Sequence, residues 1–274
     1  MLECVVNISE GRNADLLDRL ADACAPELLD MHCDGVHNRS VFTLIGTEAP
    51  RRLARAAVGA LSLADHEGIH PRLGVVDVVP FVPLDGSTMN EAVVARHDFA
   101  HWAATELGVP VFLYGPAVGG DSGVERTLPE VRRRAWVDLV PDIGPSHPHP
   151  TAGAMCVGAR DYLVAYNVWL APDTPTARAK EIADAVRGAG IRSLALVDHD
   201  FVQVSMNLID CERLGPAEAY DRVSEKANEI GVFVTGTELV GLLPASVLNR
   251  IPRERWAQLD LSADRTIEAR RDSN

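Results

Sequence analysis

The sequence predicts an α+β protein of two halves, each running β-α-β-β-α-β. Three observations lead there. Short β-rich runs alternate with helix-period runs in the same order twice along the 274 residues. A turn-rich stretch at 115–153 separates the two rhythms. A hydrophobic fraction of 47% beside 24% charged residues is the mix of a chain that buries a large core.

The first half opens with a strand at Leu2–Ile8. Asn13 is placed to cap a helix whose apolar positions are Leu16, Leu17, Leu20 and Cys24. Glu27–His32 and Ser40–Thr47 read as strands joined by the polar turn Cys33–Arg39. Pro50 sits near the start of a helix carrying Leu53, Ala57, Ala60, Leu61 and Ala64 on one face. Val75–Leu84 is β-rich. Thr88 with Glu91 forms a capping box for a helix ending near Gly108. Val109–Tyr114 is a further strand, and loops are expected from Gly115 to Gly153.

The second half repeats the order. Asp161–Leu170 is a strand. Thr174 is expected to cap a helix with Pro175 at its first position, running to Gly188. Ser193–Val197 and Val202–Leu208 form a hairpin around Asp198-His199-Asp200. Pro216 opens a helix with Val223, Ala227 and Ile230 that Gly231 stops. Val232–Val234 is a strand, and a short helix follows Pro244. This is the split βαβ, ferredoxin-like order. Two such sheets would form a cleft at their junction, where ligands commonly bind.

The formal charge of −13 argues against a duplex nucleic-acid binder, which neutralises phosphates, and against a protein held on anionic lipid. No basic start with an apolar core marks a signal peptide, and no run of about 18 apolar residues occurs. Five scattered cysteines, without a C-x-x-C pair, fit reduced thiols in a cytoplasm.

Several segments carry chemistry-bearing side chains. Gly68-Ile69-His70-Pro71-Arg72-Leu73-Gly74 holds one His and one Arg in a Pro/Gly turn before a buried strand. Such a His can exchange protons near neutral pH, or simply be exposed. Asn7-Ile8-Ser9-Glu10-Gly11-Arg12 and Asn38-Arg39 flank strand ends, where turn and capping roles compete with binding. Gly144-Pro145-Ser146-His147-Pro148-His149-Pro150-Thr151-Ala152-Gly153 is stiff and polar, a ligand loop or a linker. Its two His do not make a metal site. His97 and His101 stand at zinc-protease spacing, but Asp98 replaces the general-base glutamate. Gly120-Asp121-Ser122-Gly123 copies a serine-protease fragment without its context.

Nine stretches, in order, carry a resemblance. They are LECVVNISEGRN, HNRSVFTLIGT, GIHPRLGVVDVVPFVPL, GVPVFLYG, RTLPEVR, PDIGPSHPHPTAGAMCVGAR, AYNVWL, VQVSMNLIDCE and TGTELVGLLP. Together they resemble the glutamate formiminotransferases, the domain that forms the N-terminal part of formiminotransferase-cyclodeaminases. The resemblance implies two ferredoxin-like halves with facing sheets and helices outside, an N-terminal subdomain over 1–158 and a C-terminal one over 159–274. It implies transfer of a formimino group from N-formimino-glutamate to N5 of tetrahydrofolate, with no metal, in a possible homodimer.

The resemblance makes His70 the catalytic acid/base and residues 144–153 the folate loop. Arg39 and Arg72 are expected as carboxylate clamps. Asn7, Glu10 and Asn38 are expected to orient the amidine or pterin edges, and Asn167, Gln203 and Asn207 to face the same tunnel. Both substrates are anionic, so an acidic protein needs a local positive island around Arg12, Arg39 and Arg72. A rival donor is 5-formyl-tetrahydrofolate, with glutamate accepting a formyl group; a non-catalytic folate-binding protein is a further alternative. Departures from the family pattern are a short stretch from Arg126 to Pro141 without a helical insertion, a short connection from Arg187 to Asp200, and Trp169.

Overall fold

A computed structural model describes residues 1–68, 71–84, 86–117, 125–198 and 201–273. The described chain divides into two compact units, Met1–Asp161 and Tyr162–Ser273.

The first unit carries β1 (Leu2–Ile8), α1 (Ala14–Cys24), β2 (Leu28–Asp34), β3 (Arg39–Ile45), α2 (Glu48–Ala60), β4 (Val76–Pro83), α3 (Met89–Glu106), β5 (Val111–Tyr114), α4 (Leu128–Arg134) and β6 (Met155–Ala159). Its sheet runs β2-β3-β1-β4-β6-β5. The first four strands pair antiparallel in the ferredoxin-like order, and β6 and β5 extend the sheet in parallel.

Apolar alternation explains the layering. Cys4, Val6 and Ile8 of β1 and Phe42 and Leu44 of β3 pack with Leu16, Leu17 and Leu20 of α1 and Leu53, Ala54 and Ala57 of α2. The opposite face carries Val41, Asn7, Val78, Cys156 and Phe112 in register across five strands. Helix α4 packs there through Val131 and Ala135, against Phe112, Tyr114 and Cys156.

The helix ends follow side-chain chemistry. Asn13 caps α1 by accepting from the Leu16 amide at 3.1 Å. Thr88 and Glu91 close the expected capping box of α3. Each such cap is worth about 1 kcal/mol.

The second unit carries β7 (Val164–Leu170), α5 (Thr176–Val186), β8 (Ile191–Val197), β9 (Val202–Leu208), α6 (Pro216–Glu229), β10 (Val234–Val240), α7 (Ala245–Leu248) and α8 (Ile267–Ser273). Its antiparallel sheet is ordered β10-β7-β9-β8, the same split βαβ arrangement. Tyr166, Val168, Val204 and Met206 pack with α5 and α6. The fold class is therefore α+β with two sheets, as the residue pattern predicts.

Five local expectations need correction. Helix α2 ends at Ala60, short of Ala64. Leu61 is extended, and the Leu63 amide is drawn to the Thr151 carbonyl at 2.8 Å. The stretch 115–153 is not all loop: α4 lies within it, under its own Thr127–Glu130 capping box. Strand β6 was not expected, because a five-residue strand buried throughout shows no alternation. Pro175, not Thr174, is the cap residue of α5, without a side-chain bond. Strand β10 begins at Val234 and runs to Val240; it is an edge strand, which tolerates its polar Thr235, Thr237 and Glu238.

Candidate active site

In the first unit, β1 and β2 end where β3, β4 and β6 begin, because Ile8 pairs with both Ser40 and Val76. Several flagged segments therefore meet at one end of the sheet. Gly11 passes so close to the β2–β3 turn that a Cβ there would lie 2.6 Å from the Arg39 nitrogen. Asn38, in the left-handed region at φ 48°, accepts from the Gly11 amide at 2.9 Å and donates to the Glu67 carbonyl at 2.9 Å. His66 donates from Nε2 to the Asn38 carbonyl at 2.8 Å.

Asn7 and Arg39 are joined directly. Arg39 donates to the Asn7 Oδ1 through Nε at 3.0 Å and Nη2 at 2.6 Å. Its Nη1 donates to Asp77 Oδ2 at 2.9 Å. Glu10 accepts from the Arg12 and Asn13 amides at 2.6 and 2.9 Å, so it shapes the entry to α1. Arg12 is exposed and donates to the Gly35 carbonyl at 2.7 Å. Arg72 donates to the Gly68 carbonyl at 2.9 Å and the His66 carbonyl at 3.3 Å. His70 and Ile69 lie outside the described residues.

The 144–153 loop joins the same end. The Val75 amide donates to the Ala152 carbonyl at 3.0 Å, and the Ala154 amide to the Leu73 carbonyl at 2.9 Å. Gly74 is required there, since a Cβ would meet the Ala154 carbonyl and sit 2.8 Å from that of Ala152. His149 turns inward: its Nδ1 accepts from the Ala152 amide at 3.0 Å. Gly144 takes φ 93°, the left-handed region. Pro145, Ser146, His147, Pro148 and Pro150 complete the loop, with His147 exposed.

Two residues that the sequence did not single out organise this end. Asp77 on β4 is completely buried, and both of its oxygens are engaged. Oδ1 accepts from the Leu73 amide at 2.8 Å. Oδ2 accepts from Arg39 and from Arg132 of α4. Arg132 also donates to the Pro71 carbonyl at 2.9 Å. The T-x-x-E pattern at Thr127–Glu130 could have revealed α4 and so Arg132.

The electrostatics follow from burial against charge. Burial alone would raise the Asp77 carboxyl, but the guanidinium groups of Arg39 and Arg132 outweigh it and hold it below the usual value. Burial pulls Arg39 down against the pull of Asp77. In Arg132 burial is outweighed by Asp77, and its pKa rises. Both remain charged at neutral pH. Two guanidinium charges against one carboxylate leave a local charge of +1 in an acidic protein. Cys156 beneath them is pushed up to about 12 by burial and by Asp77, so it is no nucleophile at neutral pH.

In the second unit, Asn167, Gln203 and Asn207 share the sheet face turned away from α5 and α6. Asn167 pairs with Ser205 and Glu238, Trp169 with Gln203, and Ala165 with Asn207. Asn167 donates from Nδ2 to Glu238 Oε2 at 2.8 Å. Asn167 and Gln203 are buried, and Asn207 is exposed. Glu238 was not singled out, because the strand was expected to end at Val234, short of it.

The decoys separate on geometry. His97 Nε2 accepts from Arg96 at 2.8 Å and is thereby engaged. Among the described residues, no three His, Cys, Asp or Glu side chains are grouped to hold a metal. Gly120-Asp121-Ser122-Gly123 lies outside the described residues. No described helix is long and apolar enough to cross a membrane.

Comparison with known proteins adds a family. Residues 1–160 match the model of the formiminotransferase domain, N-terminal subdomain, and residues 165–252 match that of the formiminotransferase domain. A glutamate formimidoyltransferase of Streptococcus pyogenes is 36% identical over 273 residues, covering 90% of each chain. One from Thermoplasma acidophilum is 35% identical over 276 residues, covering 90% of this chain and 89% of its own. A formimidoyltransferase-cyclodeaminase of Sus scrofa is 35% identical over 277 residues; the matched region spans 51% of it.

Proposed function

The chain belongs to the formiminotransferase family, and on that premise we propose that it transfers a formimino group from N-formimino-glutamate to N5 of tetrahydrofolate. The products are 5-formimino-tetrahydrofolate and glutamate. The observation that supports this reading most is the convergence at one sheet end of Asn7, Asn38, Arg39, the flanks of the His-Pro-Arg turn and the 151–154 segment. That end gathers amide donors and acceptors around a net positive charge, a chemistry suited to an anionic amidine and a reduced folate.

The folate N5 lone pair attacks the formimino carbon and N5 becomes cationic in a tetrahedral intermediate. His70, as base, removes the N5 proton. The imidazolium then returns a proton to the glutamate nitrogen as the C–N bond to glutamate breaks. Proton management of this kind contributes about 10²–10⁴ in rate. Alignment of two bound substrates supplies much of the rest.

Arg39 and Arg72 clamp carboxylates, and Arg12 extends the positive island. Asn7, Glu10 and Asn38 orient the amidine or pterin edges. Residues 144–153 hold the folate, and Asn167, Gln203 and Asn207 of the second unit bind substrate. Tetrahydrofolate is a co-substrate, and the reaction takes place in the cytoplasm.

A donor screen tests the reading. The purified chain with tetrahydrofolate and N-formimino-glutamate is expected to release glutamate and 5-formimino-tetrahydrofolate, identified by mass spectrometry. Faster formation of N-formyl-glutamate from 5-formyl-tetrahydrofolate and glutamate replaces it with the formyl reading. Folate binding without turnover of either donor replaces it with a binding protein.

A further inference from the structure

The segment that flanks Ile69 and His70 in the chain, 66–68 and 71–74, has no regular secondary structure apart from the single bridge between Gly74 and Gly153. Its backbone geometry must therefore come largely from side chains that reach it. Asn38 donates to the Glu67 carbonyl at 2.9 Å and Ser9 Oγ to the Gly74 carbonyl at 2.8 Å, and three further side chains bond the residues between. Arg72 closes the turn on itself by donating to the Gly68 carbonyl at 2.9 Å. Asp77 takes the Leu73 amide at 2.8 Å. Arg132 holds the Pro71 carbonyl at 2.9 Å.

The last two are one device, because Arg132 also donates to Asp77. Both ends of it are anchored. Asp77 stands on β4, between β1 and β6 in the sheet. Arg132 stands on α4, which Val131 and Ala135 fix against Phe112, Tyr114 and Cys156. The bonds span 4, 55 and 61 residues of chain. A fully buried carboxylate with two guanidinium partners is an expensive way to hold a sheet together, since a well-packed apolar set of similar volume does as well or better. What apolar residues cannot do is fix a carbonyl and an amide on either side of one residue.

We propose that Asp77 and Arg132 are positioning residues for the Pro71-Arg72-Leu73 backbone that follows His70 in the chain, Arg132 acting through the Pro71 carbonyl and Asp77 through the Leu73 amide. They touch neither substrate nor the reacting atoms. The kinetic consequence rests on the function proposed above; the structural one does not. Arg132 is the residue to change first, because it lies on a short helix at the sheet's open face and its side chain is 18% exposed.

The experiment pairs kinetics with hydrogen exchange in the full chain. Arg132→Gln is expected to lower kcat about 10–100-fold, the cost of misplacing a reacting group by about 1 Å. KM should change by less than kcat, with a rise confined to the substrate whose carboxylate Arg72 holds, because the other binding contacts are untouched. Amide exchange in a peptide covering 66–74 should quicken about tenfold with α1 and α2 unchanged, as a local rather than global loosening requires. Arg132→Lys, which offers one point charge where a fork made two contacts, should show the same pattern more weakly, and it serves if the Gln variant does not fold. Unchanged exchange at 66–74, or an equal rise throughout the unit, overturns the proposal. A wild-type chain that transfers nothing from any donor overturns the proposed function instead, and exchange alone then decides the positioning role.

Discussion

Arg39 grips the carboxamide oxygen of Asn7 with two donors, Nε at 3.0 Å and Nη2 at 2.6 Å, although 32 residues separate them in the chain. The bond ties the end of β1 to the start of β3 on the sheet face opposite α1 and α2. Replacing Asn7 with Leu keeps the volume and removes the acceptor. A mostly buried guanidinium then loses a partner, at a cost of about 1–3 kcal/mol. Urea denaturation of Asn7→Leu should show that loss as a lower midpoint with an unchanged slope. A midpoint equal to the wild type contradicts it.

Gly11 tests the close approach of β1's exit to the β2–β3 turn. A Cβ there would lie 2.6 Å from the Arg39 nitrogen and 2.8 Å from its carbonyl oxygen. Both neighbours are backbone, which cannot swing aside. Gly11→Ala is expected to destabilise by about 1–3 kcal/mol through overpacking. The thermal midpoint should fall accordingly, whereas Gly59→Ala, where a Cβ meets nothing within 4 Å, should not lower it.

Acid stability should report on Asp77. Its pKa in the folded state lies below the ordinary carboxylate value, because Arg39 and Arg132 overcome burial. A depressed folded pKa means stability that is present above the unfolded value and is lost as pH falls through the folded one. Asp34 adds to the same limb, its burial being outweighed by hydrogen bonds from His37 and Val36. Unfolding free energy followed from about pH 6 down to pH 3 should therefore decline steeply in the wild type and less steeply in Asp77→Asn. The variant is also less stable at neutral pH, where two guanidinium groups lose their shared partner. Equal slopes sink the assignment.

Thiol chemistry gives a quick check on the packing. Cys4, Cys24, Cys156 and Cys211 are buried and only Cys33 is exposed. Burial raises Cys4 well above its ordinary value and pushes Cys24 and Cys156 to about 12. The native chain should show one fast thiol toward a disulfide reagent, lost in Cys33→Ser, and all five after denaturation. A second fast thiol in the native state contradicts the packing.

Much of this was legible in the residues. Leu2–Ile8, the Asn13 cap and the Thr88–Glu91 box were read from periodicity and capping chemistry, which are local signals. Strand β6 was not, because parallel pairing against β4 and β5 buries both faces and erases alternation. Helix α4 hid in a Gly- and Pro-rich stretch, although its capping box was there to be read. Asp77 hid for a different reason. A single carboxylate inside an apolar strand looks like an interruption until the fold brings Arg39 and Arg132 to it from 38 and 55 residues away. Side-chain pairing over such distances has no signature in a single sequence.

The central claim is that His70 manages the protons of formimino transfer, and one variant tests it most directly. Turnover of N-formimino-glutamate by His70→Ala should fall about 10²–10⁴-fold at saturating tetrahydrofolate. Calorimetric titration should find its affinity for 5-formyl-tetrahydrofolate within about threefold of the wild type, because the loss is confined to the transition state. A His70→Ala protein that keeps most of its transfer rate contradicts the account.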